Sequence, residues 1–335
     1  MCKLVRLIVC SALIITFAAI SFGNVPDVRF ASGRSALNIP FKIFNNHIYL
    51  QVRVNDATPL WFLLDTGAVN IINQRHAPAL GLKLTPAGQA IGNGEGVADV
   101  FSTDKVSYSL PGVTVRNQKF GVLSLENVEE CVTKIDVDLQ GRITARTAAR
   151  DKEQPPMDGV LGAELFRLFV VEIDYVAKTI NLRDPENYRY QGDGEKIPLE
   201  MRGKHIYMRA PLTASNHNVL TGLFMIDSGS AAALVLASPF VEQNRLLPPA
   251  NETTPFAICG IGGDSPTQIG RVTEISLGKI KLDNPVTMFS QAANGVLAGS
   301  DFSGQIGDAI LRRFRVVFDY SRKLMVLERV MVQSH

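Results

Sequence analysis

Two triplets of the same chemical type mark this sequence: Asp65-Thr66-Gly67 and Asp227-Ser228-Gly229. Each ends an apolar run, Trp61-Phe62-Leu63-Leu64 in the first case and Leu223-Phe224-Met225-Ile226 in the second. An apolar strand that ends this way delivers a carboxyl group into a low-dielectric site. The second residue supplies a hydroxyl, and the glycine keeps a side chain away from the backbone N–H groups. If the two loops meet, two carboxyls lie close together and cannot easily both ionise. They then share one proton, and their apparent pKa values are pushed apart. The ionised partner can take a proton from a water held between them while the protonated one donates to a carbonyl. That chemistry hydrolyses an amide without a covalent intermediate. One triplet alone would read as a loop start with a capping aspartate; two in equivalent places are what carry the expectation.

The elements around the triplets repeat as well. His47-Ile48-Tyr49 precedes the first and His205-Ile206-Tyr207 the second. At one constant spacing further on stand Gly162 and Gly307, Arg167 and Arg312, Phe169 and Phe314, Asp174 and Asp319, and Tyr175 and Tyr320. The two aspartates are further apart than that spacing, so the first half carries extra residues. These fall in Glu126 to Pro156, a charged stretch of little periodicity ending in Pro155-Pro156, which reads as a surface insertion or loop.

Runs rich in Val, Ile, Phe, Tyr and Thr predict strands over Phe41–Val54, Phe101–Leu110, Val113–Leu123, Phe169–Leu182, Ile206–Leu212, Val272–Leu282 and Val316–Leu327. Helical pattern is confined to short pieces such as Gln74–Leu80 and Pro239–Leu246. Asp184 to Lys196, with Asp184-Pro185 and Gly192-Asp193-Gly194, reads as the linker. The organisation expected is a lobe over 37–190 and a second over 195–331, related by a pseudo-two-fold axis that sets Asp65 beside Asp227. Asp174 and Asp319 lie in matched Asp-Tyr turns, where a turn-capping role is expected. Trp61, Tyr175 and Tyr320 read as core.

The chain resembles the pepsin/retropepsin superfamily of aspartic proteases, in the bacterial retropepsin-like form with both lobes fused, over most of 40–330. Leu63-Leu64-Asp65-Thr66-Gly67-Ala68 resembles the retroviral active-site loop, and Asp227-Ser228-Gly229-Ser230 is closer to the pepsin-like version. The resemblance implies an all-β bilobal fold of two pseudo-symmetric β-barrel lobes with short helices, and an endopeptidase with Asp65 and Asp227 as catalytic pair. It implies that Thr66 and Ser228 hydrogen-bond across the pseudo-dyad, and that Gly67 and Gly229 donate backbone N–H groups to the carboxylates. Gly162, in Asp158-Gly159-Val160-Leu161-Gly162, and Gly307, in Gln305-Ile306-Gly307-Asp308, match the family's psi-loop glycines. The second motif is less complete, because Gln305 stands where the family has an apolar residue. Flaps are implied at Gly92-Asn93-Gly94-Glu95-Gly96 and at Gly260-Ile261-Gly262-Gly263. The first lacks the tyrosine of pepsin-like flaps, so closure is expected to be retroviral in style. Ser230 could donate to its carboxylate where Ala68 cannot, which suggests work at a less acidic pH than digestive relatives.

Composition narrows the partners. The 335 residues are 46% hydrophobic and 20% charged, and 34 Lys+Arg against 32 Asp+Glu leave a net charge of +2. No field or basic run points to nucleic acid. The five histidines show no metal-ligand spacing, so neither metal nor other cofactor is expected. Lys3 and Arg6 before apolar Leu7–Ile20, then Ser21-Phe22-Gly23, read as an export signal over 1–23. The destination would be periplasmic or secreted, with membrane attachment only if that segment stays uncleaved. Outside it only Cys131 and Cys259 remain, as one bridge or as two thiols. The expected partner is a polypeptide substrate, and one chain suffices for one site. The competing reading is a catalytically silent peptide-binding protein on the same fold.

Overall fold

The computed structural model describes residues 26–130, 132–137, 143–148 and 152–330. The expected export signal and Cys131 lie outside these residues. The architecture is all-β and two-lobed, with short helices. Alternation along the strands explains how each lobe fills. In His47–Val54, Ile48, Leu50, Val52 and Val54 are buried while Gln51 and Arg53 face solvent, the period-two pattern of a half-buried strand. In Val219–Asp227 every residue from Gly222 onward is buried, as expected of a strand covered on both faces.

Six strands form a layer that both halves share. Its order is Glu195–Pro198, Leu324–Arg329, Phe314–Asp319, Val170–Asp174, Thr179–Arg183 and Ser35–Phe44. At its centre Val171 pairs with Phe318 and Ile173 with Val316, joining the matched ends of the two halves. Phe166 packs edge-on to Phe318 at 5.3 Å and stacks on Tyr320 at 5.5 Å beneath it.

The same crossing is built in each lobe. Leu60–Leu64 runs parallel to Gly159–Leu161, which is antiparallel to Ile71–Asn73. Val219–Asp227 runs parallel to Gly304–Gly307, which is antiparallel to Leu234–Leu236. The register puts Val160 beside Leu63 and Gln305 beside Met225, each two residues before an aspartate.

Several boundaries differ from the sequence reading. Phe41–Val54 is two strands, turned at Asn45 and Asn46, both in the left-handed region that asparagine tolerates. Val272–Leu282 turns at Gly278, also at positive φ. Glu195–Pro198, read as the end of a linker, is an edge strand of the shared layer. The stretch from Glu126 is more than a loop. It holds the helix Glu126–Glu130 and the hairpin Val132–Val137/Ile143–Ala148. It packs on the second lobe, where Thr254 Oγ1 donates to the Ile143 carbonyl at 2.8 Å. On the neighbouring strand Thr254–Gly260, Cys259 is disulfide-bonded.

Candidate active site

The strand Leu60–Leu64 stops one residue before Asp65, and Val219–Asp227 ends on Asp227. The two carboxyls hydrogen-bond to each other. The Gly67 N–H donates to Asp65 Oδ1 at 2.7 Å, and the Gly229 N–H to Asp227 Oδ1 at 3.1 Å. Each glycine also faces the opposite carboxyl. A Cβ on Gly67 would sit 2.7 Å from Asp227 Oδ1, and one on Gly229 would overlap the Asp65 carboxyl. The missing side chains are what allow the approach.

Thr66 and Ser228, both fully buried, lock the loops together. Thr66 Oγ1 donates to the Ile226 carbonyl at 2.7 Å and accepts from the Ser228 N–H at 3.0 Å. Ser228 Oγ donates to the Leu64 carbonyl at 3.1 Å and accepts from the Thr66 N–H at 3.0 Å. These four bonds all cross between the lobes. Behind them, a Cβ on Gly162 would lie 2.7 Å from the Ala68 carbonyl carbon, and one on Gly307 2.7 Å from the Ser230 carbonyl oxygen. The N–H groups of Ala163 and Asp308 tie the same crossings to the Ala68 and Ser230 carbonyls.

Burial raises the carboxyl pKa of both aspartates, since the ionised form loses solvation. Asp227 is pushed well above the carboxylate range, because the Asp65 charge adds to burial. Two carboxyls this close, both raised, favour a state in which the pair shares one proton. Two imidazoles stand near by. His47 is lowered to about 4 by burial, partly offset by its hydrogen bond to the Gly229 carbonyl at 3.0 Å. His205 is lowered by burial against the pull of the Asp65 charge.

The glycine-rich turns meet tip to tip. The Gly94 N–H donates to the Ile261 carbonyl at 3.1 Å, and the Gly96 N–H to the Gly262 carbonyl at 2.8 Å. Gly92, Gly94 and Gly260 lie where a Cβ would press on the opposite tip, and Gly262 and Gly263 hold positive φ. Ile261 packs on the first lobe's apolar cluster of Leu63, Val160, Tyr49 and Met157.

Other supports were not evident as site residues in the sequence. Asn46 Nδ2 donates to the Ala231 carbonyl at 3.0 Å, so the Asn45–His47 turn braces the second loop. Arg312 donates to Asn46, and its counterpart Arg167 donates to Gly203, the equivalent turn of the other lobe. The repeated His-Ile-Tyr and the matched arginines were the available signal. Asp158 accepts from the Trp61 N–H at 2.9 Å and from Arg75 at 3.0 Å, fixing the first crossing to its neighbour strand. Tyr175 donates to Asp308. The Ser230 hydroxyl does not reach its carboxyl; the Ser230 backbone N–H bonds within the loop instead. The asymmetry expected from Ala68 against Ser230 therefore does not come from that hydroxyl. Asp174 and Asp319 cap their turns, accepting from Ala177 N at 2.8 Å and Arg322 N at 3.1 Å. Among the described residues no cluster of His, Cys, Asp and Glu is placed to hold a metal ion.

Residues 50–165, which carry the first loop and its crossing, match the aspartyl protease family. No curated protein matches the chain. That match supports a retropepsin/pepsin-like aspartic protease family for the first lobe, and the second lobe repeats the same construction around Asp227.

Proposed function

We propose that the protein is an aspartic-type endopeptidase in which Asp65 and Asp227 activate one water. The observation that carries this is the two carboxyls brought together by matched loops, each facing the opposite loop's glycine and held by four hydrogen bonds that cross between the lobes. The Asp65 carboxylate accepts a proton from water held between the two groups, and the water oxygen attacks the scissile carbonyl carbon. Asp227 gives its proton to the carbonyl oxygen, yielding a tetrahedral diol. The C–N bond then breaks as Asp65 gives its proton to the leaving nitrogen and Asp227 takes one from a diol hydroxyl, which leaves the carboxylic acid product and restores the pair. Thr66, Ser228, Gly67 and Gly229 position the carboxyls and take no proton. Gly92, Gly94 and the Gly260–Gly263 tip close over the peptide, and Gly162 and Gly307 let the crossings pass behind the loops. An oxidising, exported location fits both the N-terminal sequence and the disulfide at Cys259.

The test is cleavage of a peptide library by wild type and Asp65→Asn across pH 3–8, with pepstatin as a probe. Wild-type cleavage that is abolished in the variant supports the reading. Equal cleavage by both, or none by wild type, contradicts it and favours a silent peptide-binding protein.

A further inference from the structure

We propose that Gln305 and Asn93 make the second-lobe side of the cleft an amide-recognising subsite, opposite an apolar subsite on the first-lobe side. The preferred substrate then carries an apolar side chain on one flank of the scissile bond and Asn or Gln on the other. This rests on the endopeptidase reading above.

Register supplies the placement. Residues two apart on a strand share a face, so Leu63 lies on the face of Asp65 and Met225 on the face of Asp227. Val160 is the neighbour of Leu63 and Gln305 the neighbour of Met225. At equivalent points beside the two carboxyls, one lobe thus offers a valine and the other a carboxamide.

The difference is local, because the second side has its own apolar cluster, in which Val235 pairs with Gln305 and packs with Ile258, Met288 and Leu297. On the first side Leu63, Val160, Tyr49 and Met157 form an apolar cluster capped by Ile261 of the opposite flap. On the second side Gln305 is 1% exposed, and its amide is met by Asn93 of the opposite flap. Asn93 Nδ2 donates to Gln305 Oε1 at 3.1 Å, and Gln305 Nε2 donates to Asn93 Oδ1 at 3.1 Å. This reciprocal pair sits within a wider clasp. Ala293 N donates to Glu95 Oε1 at 2.6 Å, and Val296 N to the Gly92 carbonyl at 2.9 Å.

A peptide entering between the flap and the floor separates the two amides. Both are then desolvated donors and acceptors in a confined site, and an apolar side chain would leave them unpaired. A substrate carboxamide restores both bonds. A site built to hydrogen-bond a side chain rejects one that lacks the group far more strongly than an apolar pocket separates two hydrocarbons. Gln305, which looks like a lapse in an apolar motif, is on this account the residue that gives the cleft a direction.

The experiment is library cleavage with both flanking positions randomised, using wild type, Asp65→Asn, Gln305→Val and Asn93→Ala. Wild type is expected to favour Asn or Gln over Leu by about tenfold or more on one flank only. Gln305→Val, which copies Val160, should reverse that preference to apolar and leave the other flank unchanged. Asn93→Ala changes only the flap tip and should weaken the amide preference even if Gln305→Val does not fold. Asp65-dependent cleavage with apolar residues favoured on both flanks, or preferences unmoved by either variant, overturns the subsite and leaves the endopeptidase reading standing. Cleavage that survives Asp65→Asn, or no cleavage by wild type, overturns both.

Discussion

The two lobes agree where they hold the carboxyls and differ in what they place around them. Thr66 and Ser228 exchange equivalent bonds, Gly67 and Gly229 each face the opposite aspartate, and Arg167 and Arg312 each reach the other lobe's turn. Around this frame Val160 is matched by Gln305 and Ala163 by Asp308. His47 is bonded to the opposite loop, whereas His205 Nδ1 is buried without a hydrogen-bond partner. Symmetry is kept where two groups must lie in one plane and share one proton. It is given up in the side chains that surround the pair, where a peptide must be read in one direction.

The largest effect should come from striking the symmetric frame at its narrowest point. Gly229→Ala drives a methyl into the Asp65 carboxyl, and peptide cleavage should fall by about 100-fold or more. Gly67→Ala should match it, because its Cβ meets Asp227 in the same way. A variant of either kind that keeps full kcat/KM would show that the loops do not need this approach.

Asp308 separates the lobes by pH. Burial raises its carboxyl to about 7, against the offsetting Tyr175 hydrogen bond and Arg312 charge, and Oδ2 has no hydrogen-bond partner. A carboxyl raised on folding contributes most stability below its unfolded value and loses it as pH rises through the folded one. Wild type should therefore lose up to about 4 kcal/mol from this group between pH 4 and pH 8. Asp308→Asn keeps the acceptor for Tyr175 and cannot ionise. Its stability relative to wild type, from urea unfolding at each pH, should climb across that window; a flat difference would contradict the assignment.

Smaller and equal losses are expected from the two hydroxyls. Thr66→Ala and Ser228→Ala each leave a buried carbonyl and a buried N–H unpaired, a loss of about 2–3 kcal/mol in unfolding free energy. A marked inequality would show that one loop carries the other. The smallest effects belong to Arg167→Ala and Arg312→Ala, exposed side chains with one cross-lobe bond each, at about 1 kcal/mol or less in the same assay.

Much of the frame was legible in the sequence because it is local and repeated. The apolar runs before Asp65 and Asp227 and the hydroxyl and glycine after each stand out by their repetition, and the family resemblance is what picks out Gly162 and Gly307. The pairings that cross between lobes were not legible. Nothing in Gln305 or Asn93 alone says that two amides meet, and nothing near Asp308 in the chain says that its partner Tyr175 comes from the other half. The helix and hairpin after Glu126 were also missed, since their packing surface lies on the second-lobe strand Thr254–Gly260 and not within their own residues. Turns within Phe41–Val54 and Val272–Leu282 interrupt what reads as one apolar pattern, because a two-residue turn barely disturbs the alternation.

The central claim is that Asp65 and Asp227 act as one unit sharing one proton. The most direct measurement is kcat/KM for wild type, Asp65→Asn, Asp227→Asn and the double variant on one cleaved peptide. The account predicts that either single change costs as much as both together, because a lone carboxyl can neither hold the water nor supply the second proton. Losses that simply multiply, or a single variant that keeps substantial activity, would contradict it.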